Sequence, residues 1–83
     1  MFYVYIIYSQ SLNKYYVGST QNLDQRLQDH NNSRSKFTKA GKPWTLKYHN
    51  DYETRSEAVK AEMKIKKMKS RKYIESLIEN FRH

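Results

Sequence analysis

Residues 2–8 (Phe-Tyr-Val-Tyr-Ile-Ile-Tyr) are all β-branched or aromatic. That composition suits a strand covered on both faces. Alternation puts Phe2, Val4, Ile6 and Tyr8 on one face and Tyr3, Tyr5 and Ile7 on the other. Residues 9–14 are mostly polar, with Asn13 as turn former. Residues 15–19 (Tyr-Tyr-Val-Gly-Ser) read as a second strand. The simplest pairing of the two is an antiparallel hairpin, in a register the sequence leaves open.

The pattern then changes period. Asn22 reads as an N-cap, with Gln25 three residues on, close to a capping box. The helix it opens runs to about His30, with Leu23 and Leu27 as its apolar stripe. Arg26 and His30 flank or share that stripe. A charge on a packing face is costly unless it is paired, or unless it snorkels at the stripe edge. Residues 31–43 form a loop-like stretch holding Gly41, Pro43 and the cations Arg34, Lys36, Lys39 and Lys42. It is either a binding loop or a solvated connector.

Residues 45–52 alternate, with Leu46, Tyr48 and Tyr52 on one face and Thr45, Lys47, His49 and Asp51 on the other. This predicts a half-exposed third strand. Thr54 and Glu57 make a capping box for a long helix with the stripe Ala58, Ala61, Ile65, Met68. Glu62 falls within that stripe. A carboxylate there is paired, raised in pKa, bound to a metal, or exposed at the stripe edge. Ser70 caps a last helix whose core face is Tyr73, Ile74, Leu77, Ile78 and Phe81. The expected class is α+β, in the order β-β-α-β-α-α.

Length and charge narrow the function. With 83 residues and no repeat or linker, a single domain over 1–83 is expected. The chain has no cysteine, hence no disulfide and no thiolate metal site, which fits a cytoplasmic location. No run approaches the ~18 apolar residues of a membrane helix, and the N-terminus does not read as a signal peptide. Sixteen Lys and Arg against eight Asp and Glu give a net charge of +8. Six of the nine residues from Lys64 to Lys72 are cationic. The excess favours a polyanionic partner over a membrane surface or a merely solvated face. Eight tyrosines strengthen that reading, because Tyr packs its ring and still offers a hydroxyl.

The motifs together resemble the GIY-YIG nuclease family, in length its small stand-alone bacterial members. Tyr3-Val4-Tyr5 stands where the family has Gly-Ile-Tyr, and Tyr16-Val17-Gly18 where it has Tyr-Ile-Gly. The stretch Ser19–Leu27 is similar to the family's approach to its essential Arg, here Arg26. His30 falls at a position often occupied by His, and Glu62 matches the family's metal-binding Glu. The resemblance covers residues 2 to about 78. Tyr3 departs from the motif glycine, and Val17 is a conservative exchange for Ile.

The resemblance implies a small three-stranded antiparallel sheet flanked by helices, with Tyr5, Tyr16, Arg26, His30 and Glu62 brought to one surface. It also implies a DNA endonuclease or nickase dependent on Mg²⁺ or Mn²⁺, with use in repair or recombination. Weak sequence preference is expected, since larger relatives carry separate recognition modules.

Phosphodiester hydrolysis assigns roles to these groups. Glu62 holds the metal, because Mg²⁺ often needs one carboxylate beside its waters and a phosphate. Arg26 clamps phosphoryl oxygens with a planar fork. Tyr5 is the general base and Tyr16 orients the water or phosphate, roles that are exchangeable. A nearby cation is needed to bring a phenol of pKa ~10 into range. His30 serves proton transfer or phosphate contact. Arg34, Lys36, Lys39, Lys42, Lys64, Lys66, Lys67, Lys69 and Arg71 supply sequence-independent phosphate contacts. DNA is favoured over RNA and a monomer over an oligomer, with a protein partner left open. The rival readings are a non-catalytic nucleic-acid-binding module and a subunit of a larger DNA-processing complex.

Overall fold

The computed structural model describes residues 1–32 and 39–81. Strands β1 (Phe2–Ser9) and β2 (Lys14–Thr20) precede helix α1 (Leu23–Asn31). A 3₁₀ turn (Lys39–Gly41) leads to strand β3 (Trp44–Tyr52) and helices α2 (Arg55–Met68) and α3 (Arg71–Phe81). The three strands form one antiparallel sheet in the order β2-β1-β3. This is an α+β fold in the order β-β-α-β-α-α, matching the expectation.

The central place of β1 explains its composition. Val4, Tyr5, Ile6 and Ile7 are all buried, because each face of the strand meets a separate core. On one side Val4, Ile6 and Val17 pack with Ala58 and Ile65 of α2, with Tyr73, Ile74, Leu77 and Ile78 of α3 closing over them. On the other side Tyr5, Ile7 and Trp44 pack against Leu23 and Leu27 of α1. The hairpin turn is tightened by Asn13, whose φ of 53° lies in the left-handed region. Its Oδ1 accepts a hydrogen bond from the Tyr8 hydroxyl at 2.6 Å.

Each helix has its cap. Asn22 Oδ1 accepts from the Gln25 amide at 3.1 Å, Thr54 Oγ1 from the Glu57 amide at 3.2 Å, and Ser70 Oγ from the Tyr73 amide at 3.1 Å. Caps of this kind contribute about 1 kcal/mol each. The Gln25 side chain donates forward to Asp29 at 3.0 Å.

Two expectations are corrected. Leu46 does not share a face with Tyr48 and Tyr52. Tyr48 pairs with Ile6 but Leu46 pairs with Ile7, so Lys47 is an extra residue in a bulge. One inserted residue inverts the alternation on its far side. Leu46 therefore joins the α1-side core, whereas Tyr48 and Tyr52 join the α2-side core. Nor does Met68 continue the α2 stripe. The helix ends there, Lys69 turns into the left-handed region at φ 48°, and Met68 is left exposed. At the end of α3, Phe81 is exposed too, but it sets its ring edge-on against Tyr48 and His49.

Helix α1 covers one face of the sheet and α2 the other, and Lys66 of α2 reaches the Tyr16 ring past the β2 edge. That edge is where the candidate site assembles.

Candidate active site

Tyr5 points to the α1 side of β1, directly across from Gly18 of β2. Its phenolic oxygen lies 2.8 Å from Nε2 of His30, which is fully buried near the end of α1. Burial, and then the charge of Arg26, push the His30 pKa down to about 4, with Asp29 acting in the opposite sense. The imidazole is therefore neutral at pH 7. With its proton assigned to Nδ1, Nε2 accepts from the phenol. Burial also raises the Tyr5 pKa to about 12, although the hydrogen bond and charge of Arg26 pull it back. The resting state is a protonated phenol on a neutral imidazole.

Arg26 is half-buried, one turn before His30 on α1. Its hydrogen bond to Tyr5 raises its pKa first, and Tyr16 adds to that. The guanidinium is thus held against both phenols of the paired motifs. Tyr16, half-buried on β2, meets His30 edge-on with ring centroids 5.1 Å apart, and Trp44 at 6.3 Å.

Glu62 approaches from the other face of the sheet. Its Oε1 accepts a hydrogen bond from Ser19 Oγ at 2.6 Å, and its Oε2 pairs with Lys66 Nζ at 2.6 Å. The carboxylate side chain is 17% exposed. Its negative charge contributes to the raised pKa of Tyr5, so the two groups share one electrostatic neighbourhood. Lys66 in turn places Nζ over the Tyr16 ring, 5.9 Å from its centroid.

Among the described residues no three His, Cys, Asp or Glu side chains stand close enough to hold a metal ion. This donor set does not fit a closed protein cage such as a structural zinc site. It fits a hard divalent ion that keeps most of its waters and takes one carboxylate. The Lys66 ammonium against Oε2 marks where positive charge is already accommodated.

The five residues do not share one surface. Tyr5 and His30 lie beneath it, because β1 is the central strand and α1 closes over its face. Arg26, Tyr16 and Glu62 form the accessible layer. Arg34 and Lys36 fall outside the described residues. Lys39, Lys42, Lys64, Lys67 and Lys69 are exposed, spread over the loop and α2. Arg71 is also exposed but has structural work. Its guanidinium donates to Asn13 O at 3.0 Å and Asn13 Oδ1 at 2.8 Å, and it pairs with Glu75 at 3.3 Å. It ties the hairpin turn to α3.

Sequence reasoning missed one contact of the candidate site. Ser19 was read as part of a strand and a motif, not as a ligand of Glu62. Its signal is the alternation, which puts Ser19 on the same face as Val17, toward α2. Gly18 belongs to the motif already read from the sequence, and the Tyr5 phenol packs against it where any side chain would collide.

The fold that brings Tyr5, Arg26 and Glu62 near one another is that of a nuclease-type family. Residues 1–74 match the model of the GIY-YIG catalytic domain, and the chain belongs to that family. Its relatives include UPF0213 proteins. One from Bacillus velezensis is 38% identical over 78 residues, spanning 89% of this chain and 76% of that protein. One from Staphylococcus saprophyticus is 32% identical over 78 residues, spanning 93% and 94%. One from Halobacterium salinarum is 33% identical over 69 residues, spanning 82% and 88%. No solved structure gives a significant match. No helix among the described residues is long and apolar enough to cross a membrane.

Proposed function

We propose that the protein is a divalent-metal-dependent endonuclease or nickase acting on DNA with little sequence preference, in repair or recombination. The observation that carries this reading is the Tyr5–His30 hydrogen bond held under Arg26, with Glu62 across the β2 edge.

Arg26 binds the phosphoryl oxygens of the cleaved diester through its fork. The arriving negative charge counters the guanidinium, one of the two influences that depress His30. His30 becomes the stronger base. As the attacking water, admitted beneath Arg26 to the buried phenol, gives Tyr5 a proton, Tyr5 passes its own proton to Nε2 of His30. The phenol, too weak as a base at pKa about 12 alone, thereby works through the imidazole. Water oxygen bonds to phosphorus, and the bond from phosphorus to the leaving sugar oxygen breaks. Tyr16 orients the water or the phosphate. Glu62, oriented by Ser19, would hold Mg²⁺ or Mn²⁺ once Lys66 swings aside. When bound, such an ion polarises the phosphate and stabilises the leaving alkoxide. The exposed lysines follow the backbone without reading bases.

The test is incubation of supercoiled plasmid, branched DNA and single-stranded DNA with Mg²⁺, beside Arg26→Ala and Glu62→Gln. The parent is expected to cleave and both variants to lose about 100-fold or more, the usual scale for an electrostatic catalytic group. Equal activity in all three proteins overturns the assignment. Tight, salt-sensitive binding without turnover under any metal supports a binding module instead.

A further inference from the structure

A second feature of the β2 edge adjoins this chemistry. Where β2 faces the junction of α2 and α3, a cleft of about 440 Å³ opens. That volume falls within the range of small-ligand sites, roughly 300–1,000 Å³. Its floor is apolar, made by Val17, Ile65 and Ile74. Its rim carries Lys66, Lys69 and Arg71, and no carboxylate lines it. Tyr16 forms the wall toward the candidate active site, and Lys66 is the residue already paired with Glu62.

We infer that this cleft is a nucleotide subsite. It takes the unstacked base of the nucleotide next to the cleaved phosphate, with that nucleotide's own phosphate on the lysine rim. The inference rests on reading the neighbouring site as a phosphodiester site. Three observations converge on a nucleotide. The floor is apolar and flanked by the rings of Tyr15 and Tyr16, which suits a base plane. The charged residues of the rim are all cations, Lys14, Lys66, Lys69 and Arg71; Lys66 and Arg71 are paired with Glu62 and Glu75, which leaves Lys14 and Lys69 to meet an anion attached to an apolar body. The third is β2 itself, an edge strand whose outward backbone N–H and C=O groups pair with no other strand. Those groups are available to the polar edge of a base. Lys69 is suited to hold the phosphate because α2 ends there. Its left-handed backbone turns the chain across the mouth of the cleft, one residue before the Ser70 cap of α3.

The test uses the full chain and thymidine 5′-monophosphate, followed by amide chemical shifts. Shifts are expected at Val17, Lys69, Ser70 and Ile74, with affinity at least tenfold above that of inorganic phosphate, the scale of one stacked base. Lys69→Gly keeps the left-handed turn without strain. It should retain the melting temperature and lose several-fold in nucleotide affinity. Binding no tighter than that of inorganic phosphate, or shifts confined to Arg26 and Tyr16, overturns the subsite. A second arm measures cleavage of an oligonucleotide with an abasic residue beside the cut site, where about a tenfold loss is expected. If no oligonucleotide is cleaved, the nuclease reading fails while the titration still decides the cleft.

Discussion

A Cβ on Gly18 would stand 2.5 Å from the phenolic oxygen of Tyr5 and 2.7 Å from its Cζ. The two residues face each other across the β1–β2 ladder. Tyr5 is 2% exposed and hydrogen-bonded to His30, so its ring has no room to retreat. Gly18→Ala should therefore destabilise the fold by about 1–3 kcal/mol, as overpacking of a filled core does. Because a displacement near 1 Å at a reacting group costs about 100-fold, cleavage should fall by that order. Chemical denaturation and plasmid nicking, run on the same preparation, check both halves.

The buried pair makes stability depend on pH in two windows. In the unfolded chain His30 titrates near 6.5 and in the fold at about 4. Between these values the unfolded state binds more protons, so stability rises with pH and is fully present above 6.5. Tyr5 titrates near 10 unfolded and about 12 folded. There the folded state holds the extra proton, and stability falls from pH 10 to 12. At about 1.4 kcal/mol per unit, the acid window is worth roughly 3 kcal/mol. Denaturation midpoints from pH 3.5 to 12 should trace this plateau. Tyr5→Phe should remove the Tyr5 contribution to the alkaline loss and keep the acid one.

Ser19 donates a hydrogen bond to Glu62 Oε1 at 2.6 Å. Partners of metal-ligating groups typically change metal affinity by ~10–100-fold when removed. Ser19→Ala should raise the Mg²⁺ concentration for half-maximal cleavage by about tenfold. At saturating metal its rate should approach that of the parent. Glu62→Gln should stay inactive at any metal concentration. Metal titrations of the initial rate separate the two.

The exposed lysines of α2 should appear in the salt dependence. Each phosphate neutralised contributes about 0.9 to the slope of log affinity against log salt on duplex DNA. Lys64→Ala with Lys67→Ala should lower that slope by up to about 2, uniformly across sequences. Arg26→Ala should reduce cleavage far more than binding. Fluorescence anisotropy at several salt concentrations reads the slope directly.

Much of this architecture is local and was legible in the residues. The apolar run of β1 announced a strand covered on both faces, and Asn22, Thr54 and Ser70 announced three helix starts, since a cap is a bond between residues three apart. The +8 charge and the tyrosine motifs pointed to a phosphodiester-processing family. The bulge at Lys47 was not legible, because it arises from pairing with β1 and leaves the alternation of β3 intact as text. Nor was the split of the candidate site into a buried layer and an accessible one. Tyr5 and His30 are 25 residues apart, and Ser19 and Glu62 are 43 apart. Spacing along the chain determines which face of an element a residue occupies. Only the packing of α1 and α2 on opposite faces of one small sheet decides that a buried phenol, an arginine and a carboxylate share the same field.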